Sequence, residues 1–195
     1  MNAIILAGGK ASRMEGIAKA FLKINHEPLI EKQIRGLKKL FDKIIIVTNL
    51  PARYASLKGV EVASDIIPYQ GPLGGIYSGL RVSDSFYNFV VACDMPFIDT
   101  GLIEYMHKKC PGYDAVVPRI DNKYEPLFSF YSKGCVKFII QLLDKKIFKI
   151  SELFSRIKVK EITRDEVLKF AFGEKIFTNI NTRKDLAHIY ADRPL

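Results

Sequence analysis

Short apolar runs rich in β-branched residues recur along the chain: "AIIL" from Ala3, "KIIIVT" from Lys43, "VEVA" from Val60, "NFVVA" from Asn88 and "DAVVP" from Asp114. Runs of this length, with Gly, Pro, Asn or Asp near their ends, predict buried strands. Between the first two, Ile30, Ile34, Leu37 and Phe41 recur at helical spacing behind Pro28, a residue suited to a first helical turn. Gly74 to Val82 and Thr100 to Lys109 predict two further crossover helices. Strand and helix therefore alternate as far as Pro118, which predicts an α/β protein: a three-layer, Rossmann-like, mostly parallel sheet with helices on both faces. Beyond Pro118 the pattern is less regular. An extended "LFSFY" from Leu127 and helices near Gly134 to Leu143, Ser151 to Arg156 and Thr182 to Tyr190 are expected to complete the same sheet.

The chain has 195 residues, 48% hydrophobic and 26% charged, enough for one compact α/β core and too few for two ordinary ones. No repeat, low-complexity tract or Gly/Pro/Ser-rich linker marks a boundary, so a single domain over 1–195 is expected. No apolar run approaches the roughly 18 residues of a membrane span, and Met1 to Leu6 runs into a Gly-rich segment rather than a cleavage site. A soluble, cytoplasmic protein with no membrane contact is the expectation. Cys93, Cys110 and Cys135 are odd in number, widely spaced and form no CxxC pair, which argues against a disulfide framework or zinc site and for buried thiols.

The net charge of +9 favours an anionic ligand without naming it, and a Lys-rich solvated surface explains it equally well. No nucleic-acid-binding motif or interleaved basic and aromatic segment accompanies it, so nucleic acid is not an expected partner. His26, His107 and His188 are matched to no nucleophile by any motif and suit surface or packing roles.

Candidate chemistry concentrates after the first strand. Gly8, Gly9, Lys10, Ser12, Arg13 and Gly16 precede Lys19, a composition that binds phosphate. Glycines let backbone amides approach an anion, and the cations offset charge that amides cannot. The segment fits neither the GxxxxGK[ST] P-loop nor the GxGxxG dinucleotide fingerprint. Asp94 follows the strand "FVVAC", where ligands bind in open parallel sheets, and a carboxylate there suits Mg2+; a turn or capping role is the alternative. Asn49 and Asp65 also follow strands, and each equally suits a turn.

The whole string "LAGGKASRMEGIAKAFL" from Leu6 to Leu22 resembles the LAGGxSxRMGxxK signature of the molybdenum cofactor guanylyltransferases, the MobA-like family of nucleotidyltransferases. The likeness continues through "VTNL" at Val47, "SDIIPYQGPLGGIYSGL" at Ser64, "CDMPFI" at Cys93, "EPLFSFY" at Glu125 and "NINTRKDL" at Asn179, nearly the full chain. The resemblance implies a fold of the nucleotide-diphospho-sugar transferase type. It also implies transfer of GMP from GTP to the terminal phosphate of molybdopterin or molybdenum cofactor, with pyrophosphate released. Mg2+ is the implied cofactor, and molybdoenzymes or their chaperones are the implied protein partners. The nucleotide-binding half would be about 1–118 and the acceptor-binding half about 119–195.

Residue by residue, the resemblance makes Arg13, Lys19 and Asp94 catalytic, with Asp94 the metal ligand. Arg13 would contact the leaving phosphates and Lys19 the α- or β-phosphate. Leu6, Ala7, Gly8, Gly9, Lys19, Asn49, Asp65, Gly71 and Asp94 would bind the nucleotide, the amides of Ala7, Gly8 and Gly9 cradling it and "GPLGG" from Gly71 meeting the base. Asn179, Asn181 and Glu125 would face the acceptor. Three positions depart from the family pattern: Glu15 where Gly is usual, Ala18 where Asp is common, and Gly74 where Ala is usual. A Glu at positive φ would cost about 1–2 kcal/mol, so the turn is expected at Gly16 instead. A related cytidylyl or sugar-phosphate transferase, and a nucleotide-binding module without catalysis, are the competing readings.

Overall fold

The computed structural model describes residues 1–8, 13–14, 17–24, 26–180 and 185, with the backbone alone at 13, 14 and 17–19. In chain order the strands are β1 (Asn2–Leu6), β2 (Arg13–Met14), β3 (Ile17–Ala18), β4 (Lys23–Ile24), β5 (Glu27–Pro28), β6 (Lys43–Thr48), β7 (Glu61–Ser64), β8 (Tyr87–Ala92), β9 (Ala115–Ile120), β10 (Lys123–Tyr124), β11 (Phe128–Ser132) and β12 (Val159–Thr163). The helices are α1 (Leu29–Leu37), α2 (Gly71–Val82), α3 (Thr100–His107), α4 (Val136–Asp144), α5 (Ser151–Phe154) and α6 (Arg164–Val167).

Eight strands share one sheet in the order β10-β9-β11-β8-β1-β6-β7, with β12 also paired to β9. β7, β6, β1 and β8 are mutually parallel. β11 runs antiparallel to both β8 and β9, and β12 is parallel to β9. The alternation of side chains explains the continuous apolar runs: Ala3 and Ile5 of β1 enter one core and Ile4 and Leu6 the other. The first core is closed by Ile30, Ile34 and Leu37 of α1 and Leu102, Ile103 and Met106 of α3. Leu73, Ile76 and Leu80 of α2 and Ile139, Leu142 and Leu143 of α4 close the second. The expected three layers are present.

Several details differ from the sequence expectation. α2 starts at Gly71, ahead of the apolar pattern, because Pro72 suits a first turn and the left-handed Gly71 (φ 65°) redirects the chain into it. The β9–β10 hairpin was not expected; Asp121 and Asn122, at φ 45° and 65°, close it as a two-residue turn with both residues left-handed. β12 also escaped the periodic reading, since its "VKEIT" carries two charges on a half-buried strand. Of the final predicted helix, 182–190, only Asp185 is described, and it is helical. No helix among the described residues is long and apolar enough to cross a membrane.

Candidate active site

The C-terminal ends of the four parallel strands open into one cavity of about 520 Å³. Leu6 and Gly8 enter it from β1, Asn49 from β6, Asp65 from β7, and Cys93 and Asp94 from β8. The first turn of α2, Gly71, Pro72 and Gly75, lines the same space, so the positive end of that helix faces whatever binds there. Asn179 joins from the far end of the chain.

Around Gly8 the side chains of Asn49 and Asp65 converge. A Cβ at Gly8 would lie 3.3 Å from Asp65 Oδ2 and 3.5 Å from Asn49 Nδ2. Burial pushes the Asp65 carboxyl above the ordinary carboxylate range, an effect that the Asn49 side chain and the Ser78 hydroxyl partly offset. Asp65 Oδ1 is buried without a hydrogen-bond partner among the described residues. The segment after Asp65 is held by Ser78, whose hydroxyl accepts from the Ile66 amide at 2.8 Å and donates to the Gly74 carbonyl at 2.9 Å. Gly74 itself admits no side chain as the loop stands: a Cβ there would lie 2.8 Å from Gln70 Cβ.

Asp94 sits in the turn after β8 and is fixed from three directions. The Cys93 amide donates to Leu6 carbonyl oxygen at 3.0 Å, the Met95 amide to Ala92 at 3.2 Å, and the Ile180 amide to Asp94 carbonyl oxygen at 2.8 Å. Gln33 of α1, fully buried, donates its Nε2 to the carbonyls of Ala92 at 2.9 Å and Met95 at 2.6 Å, bracketing Asp94. The Ile180 side chain is buried with Leu22, Ile24 and Leu29, so Ile180 is anchored beside Asp94 and Asn179 is carried to the cavity.

Other expectations meet different outcomes. The Ala7 amide is not free to cradle phosphate, because it continues the parallel ladder by donating to Val47 carbonyl oxygen at 2.8 Å, while Thr48 Oγ1 donates to Ala7 carbonyl oxygen at 3.1 Å. Glu125 does not line the cavity; Leu127, two positions on, does. The Glu125 backbone instead caps the approach to β11, its carbonyl accepting from Ser129 Oγ at 2.7 Å. Its carboxyl is raised by burial, with Lys123 opposing. Gly9, Glu15, Gly16 and Asn181, and the side chains of Arg13 and Lys19, lie outside the described residues.

Cys93, Cys110 and Cys135 are buried and form no disulfide, and burial pushes the Cys110 and Cys135 thiols up to about 12. His107 packs against the Phe130 ring at 5.6 Å and His26 occupies an exposed left-handed turn at φ 68°.

Tyr69 and Phe148, which also line the cavity, and Gln33 behind Asp94 are among the residues that the sequence did not single out. Gln33 had a signal: it is a polar residue on the apolar stripe of α1. Phe148 had a weaker one, a lone aromatic among lysines in "DKKIFKI".

Residues 3–159 match the MobA-like NTP transferase domain. The chain is 38% identical over 192 residues to a probable molybdenum cofactor guanylyltransferase of Peptoclostridium acidaminophilum, covering 95% of this chain and 86% of that protein. A protein of the same description from Clostridium perfringens is 38% identical, covering 98% and 94%. Among solved structures, molybdopterin-guanine dinucleotide biosynthesis protein A from Archaeoglobus fulgidus superposes with a TM-score of 0.83 at 25% identity over 96% of each chain. A 4-diphosphocytidyl-2C-methyl-D-erythritol synthase from Anaerococcus prevotii, 16% identical with a TM-score of 0.70 over 98% of each chain, shares the fold.

Proposed function

Because the chain belongs to the MobA-like NTP transferase family, we propose that it transfers GMP from GTP to the terminal phosphate of molybdopterin or molybdenum cofactor, in the cytoplasm. One observation carries this reading to the site: Gly8, Asn49, Asp65, Asp94 and Asn179, spread over nearly the whole sequence, meet in one cavity at the ends of the parallel strands.

In the reaction an oxygen of the acceptor's terminal phosphate forms a bond to the α-phosphorus of GTP. The α–β phosphoanhydride bond breaks and pyrophosphate leaves with its electron pair. No covalent enzyme intermediate is required. Such a transfer asks the protein to align two anions and to offset the charge gathering on the leaving oxygens. The α2 N-terminus and the region of Gly8 face the nucleotide, with Asn49 and Asp65 beside it, and Arg13 and Lys19 supply the cations. Asp65, on the cavity wall, accepts a hydrogen bond from a nucleotide donor. Asn179 holds the acceptor, and Asn181 belongs with it.

The donor set fits Mg2+. This ion takes one or two protein carboxylates and completes its shell with phosphate oxygens and water. Asp94 is a half-buried carboxylate on the cavity wall, at the end of β8. When bound, Mg2+ supplies charge neutralisation at the phosphates.

Incubation with molybdopterin and each of GTP, CTP, UTP and ATP, followed by mass analysis, tests the assignment. A guanine dinucleotide and pyrophosphate are expected, and Asp94→Asn should lower turnover by on the order of 10²–10³-fold. A cytosine dinucleotide, or undiminished turnover by Asp94→Asn, would overturn the substrate or the role of Asp94 respectively.

A further inference from the structure

The cavity has two unlike walls. Toward β6 and β7 stand Asn49, Asp65 and the start of α2, the polar groups suited to a nucleotide. Toward β11 the wall is Leu127 and Phe148, with Asp94 and the end of β8 between the two sides. Phe148 is 43% exposed, and no other ring among the described residues stacks on it.

The loop that presents Phe148 is fixed rather than loose. α4 ends with Lys146 left-handed at φ 58°, the Ile147 amide bonded to Leu142 carbonyl oxygen at 2.9 Å and the Lys146 amide to Leu143 at 2.9 Å. This pair of bonds is the Schellman termination, in which the left-handed position favours glycine. Ile147 packs against the second core and Ile150 is buried in it, so the segment between them is tied at both ends. Phe148 is thereby held at the cavity wall, and Lys145, Lys146 and Lys149, its neighbours in the chain, are exposed.

We propose that Phe148 is the platform on which the flat heteroaromatic ring of the acceptor stacks, with the three lysines attracting that acceptor as an anion. This rests on the acceptor being a phosphorylated pterin, as argued above. Stacked on Phe148, its ring lies at the β11 wall while its phosphate extends toward Asp94 and the nucleotide. An aromatic plate suits a flat ring by face-to-face contact, and a basic surround raises the encounter rate of an anionic ligand.

The test measures binding of 6-hydroxymethylpterin phosphate by fluorescence, alongside GTP binding by thermal shift and dinucleotide formation from molybdopterin. Phe148→Ala should weaken pterin binding and raise the molybdopterin KM by about ten-fold or more, as loss of a stacking ring does for a nucleobase. Its GTP binding should match the wild type, and Phe148→Tyr should restore pterin binding. Lys145→Gln with Lys149→Gln should flatten the salt dependence of pterin binding. Unchanged pterin binding and KM in Phe148→Ala, or weakened GTP binding instead, would overturn the proposal. A wild-type protein that binds GTP but neither binds the pterin nor converts molybdopterin would overturn the acceptor assignment itself.

Discussion

Replacing Gln33 by Met tests whether the clamp behind Asp94 matters. Met has nearly the same length and volume, so the core keeps its packing and loses only polar contacts. Two hydrogen bonds vanish, those from Nε2 to the carbonyls of Ala92 and Met95 at 2.9 and 2.6 Å. Ala92 carbonyl oxygen retains the Met95 amide at 3.2 Å, whereas the Met95 carbonyl is left without its Gln33 donor. A net hydrogen bond is worth about 0.5–1.5 kcal/mol and an orphaned buried carbonyl costs about 1–3 kcal/mol. The substitution also removes Gln33 Oε1, which has no partner now, and that offsets part of the loss. The balance is about 2 kcal/mol, or a Tm lower by about 4–8 °C for a domain of this size. The two carbonyls bracket Asp94, so its carboxylate should also shift, with turnover lower by about ten-fold and the GTP KM changed much less. Calorimetry with initial-rate kinetics reads both. A variant as stable and as fast as wild type would refute the clamp, and lost stability with unaltered turnover would confine it to folding.

Three further outcomes follow from the geometry. Burial raises the Asp65 carboxyl above its ordinary 3.8, so the folded state binds that proton more tightly than the unfolded one. Its ionised form therefore costs stability above the raised value, and the cost fades as the pH falls toward 3.8. Asp65→Asn should thus be more stable than wild type in urea at pH 8, with the gain shrinking as the pH falls toward 3.8, while GTP binding weakens; a gain that grows on acidification would contradict this. Gly79→Ala places a Cβ 2.5 Å from Ile4 Cγ2, and overpacking of about 1–3 kcal/mol should outweigh the helix gain of about 1 kcal/mol, lowering the urea midpoint. Tyr69, 73% exposed on the nucleotide side at φ 64°, should on replacement by Ala raise the GTP KM and leave the molybdopterin KM unmoved, as steady-state kinetics at fixed co-substrate will report.

The parallel strands and their crossover helices were readable because both-face burial makes β-branched runs, and α1 advertises itself through Ile30, Ile34 and Leu37. Asp94, Asn49 and Asp65 were readable for the same reason: each stands directly beyond such a run, where a parallel sheet opens. β12 was not, since Lys160 and Glu161 interrupt its pattern. The engagement of the Ala7 amide by Val47 was equally hidden, because it depends on strand register, which no local motif records. Phe148 and Tyr69 carry no periodic signal. Their role comes from where the chain turns, and left-handed residues other than glycine are hard to anticipate from sequence.

The reversal of β11 explains why the two walls differ. A parallel strand delivers its C-terminal end to the cavity, followed by a helix whose N-terminus points there, as β7 delivers Asp65 and then α2. β11 runs the other way, so the residue before it, Leu127, reaches the cavity, and its end at Ser132 lies opposite Tyr87 at the far edge. α4 must then run back, bringing its C-terminus and the loop with Phe148 to the site. The helix end there is the negative one, a poor neighbour for an anionic acceptor. Lys145 and Lys146, at the helix end, counter it, and that compensation alone would stabilise α4 by about 0.3–1 kcal/mol per cation. The two effects separate experimentally. If the lysines serve only the helix, their removal lowers Tm and leaves acceptor association untouched; if they also serve the acceptor, its association slows at low salt and converges with wild type as screening increases.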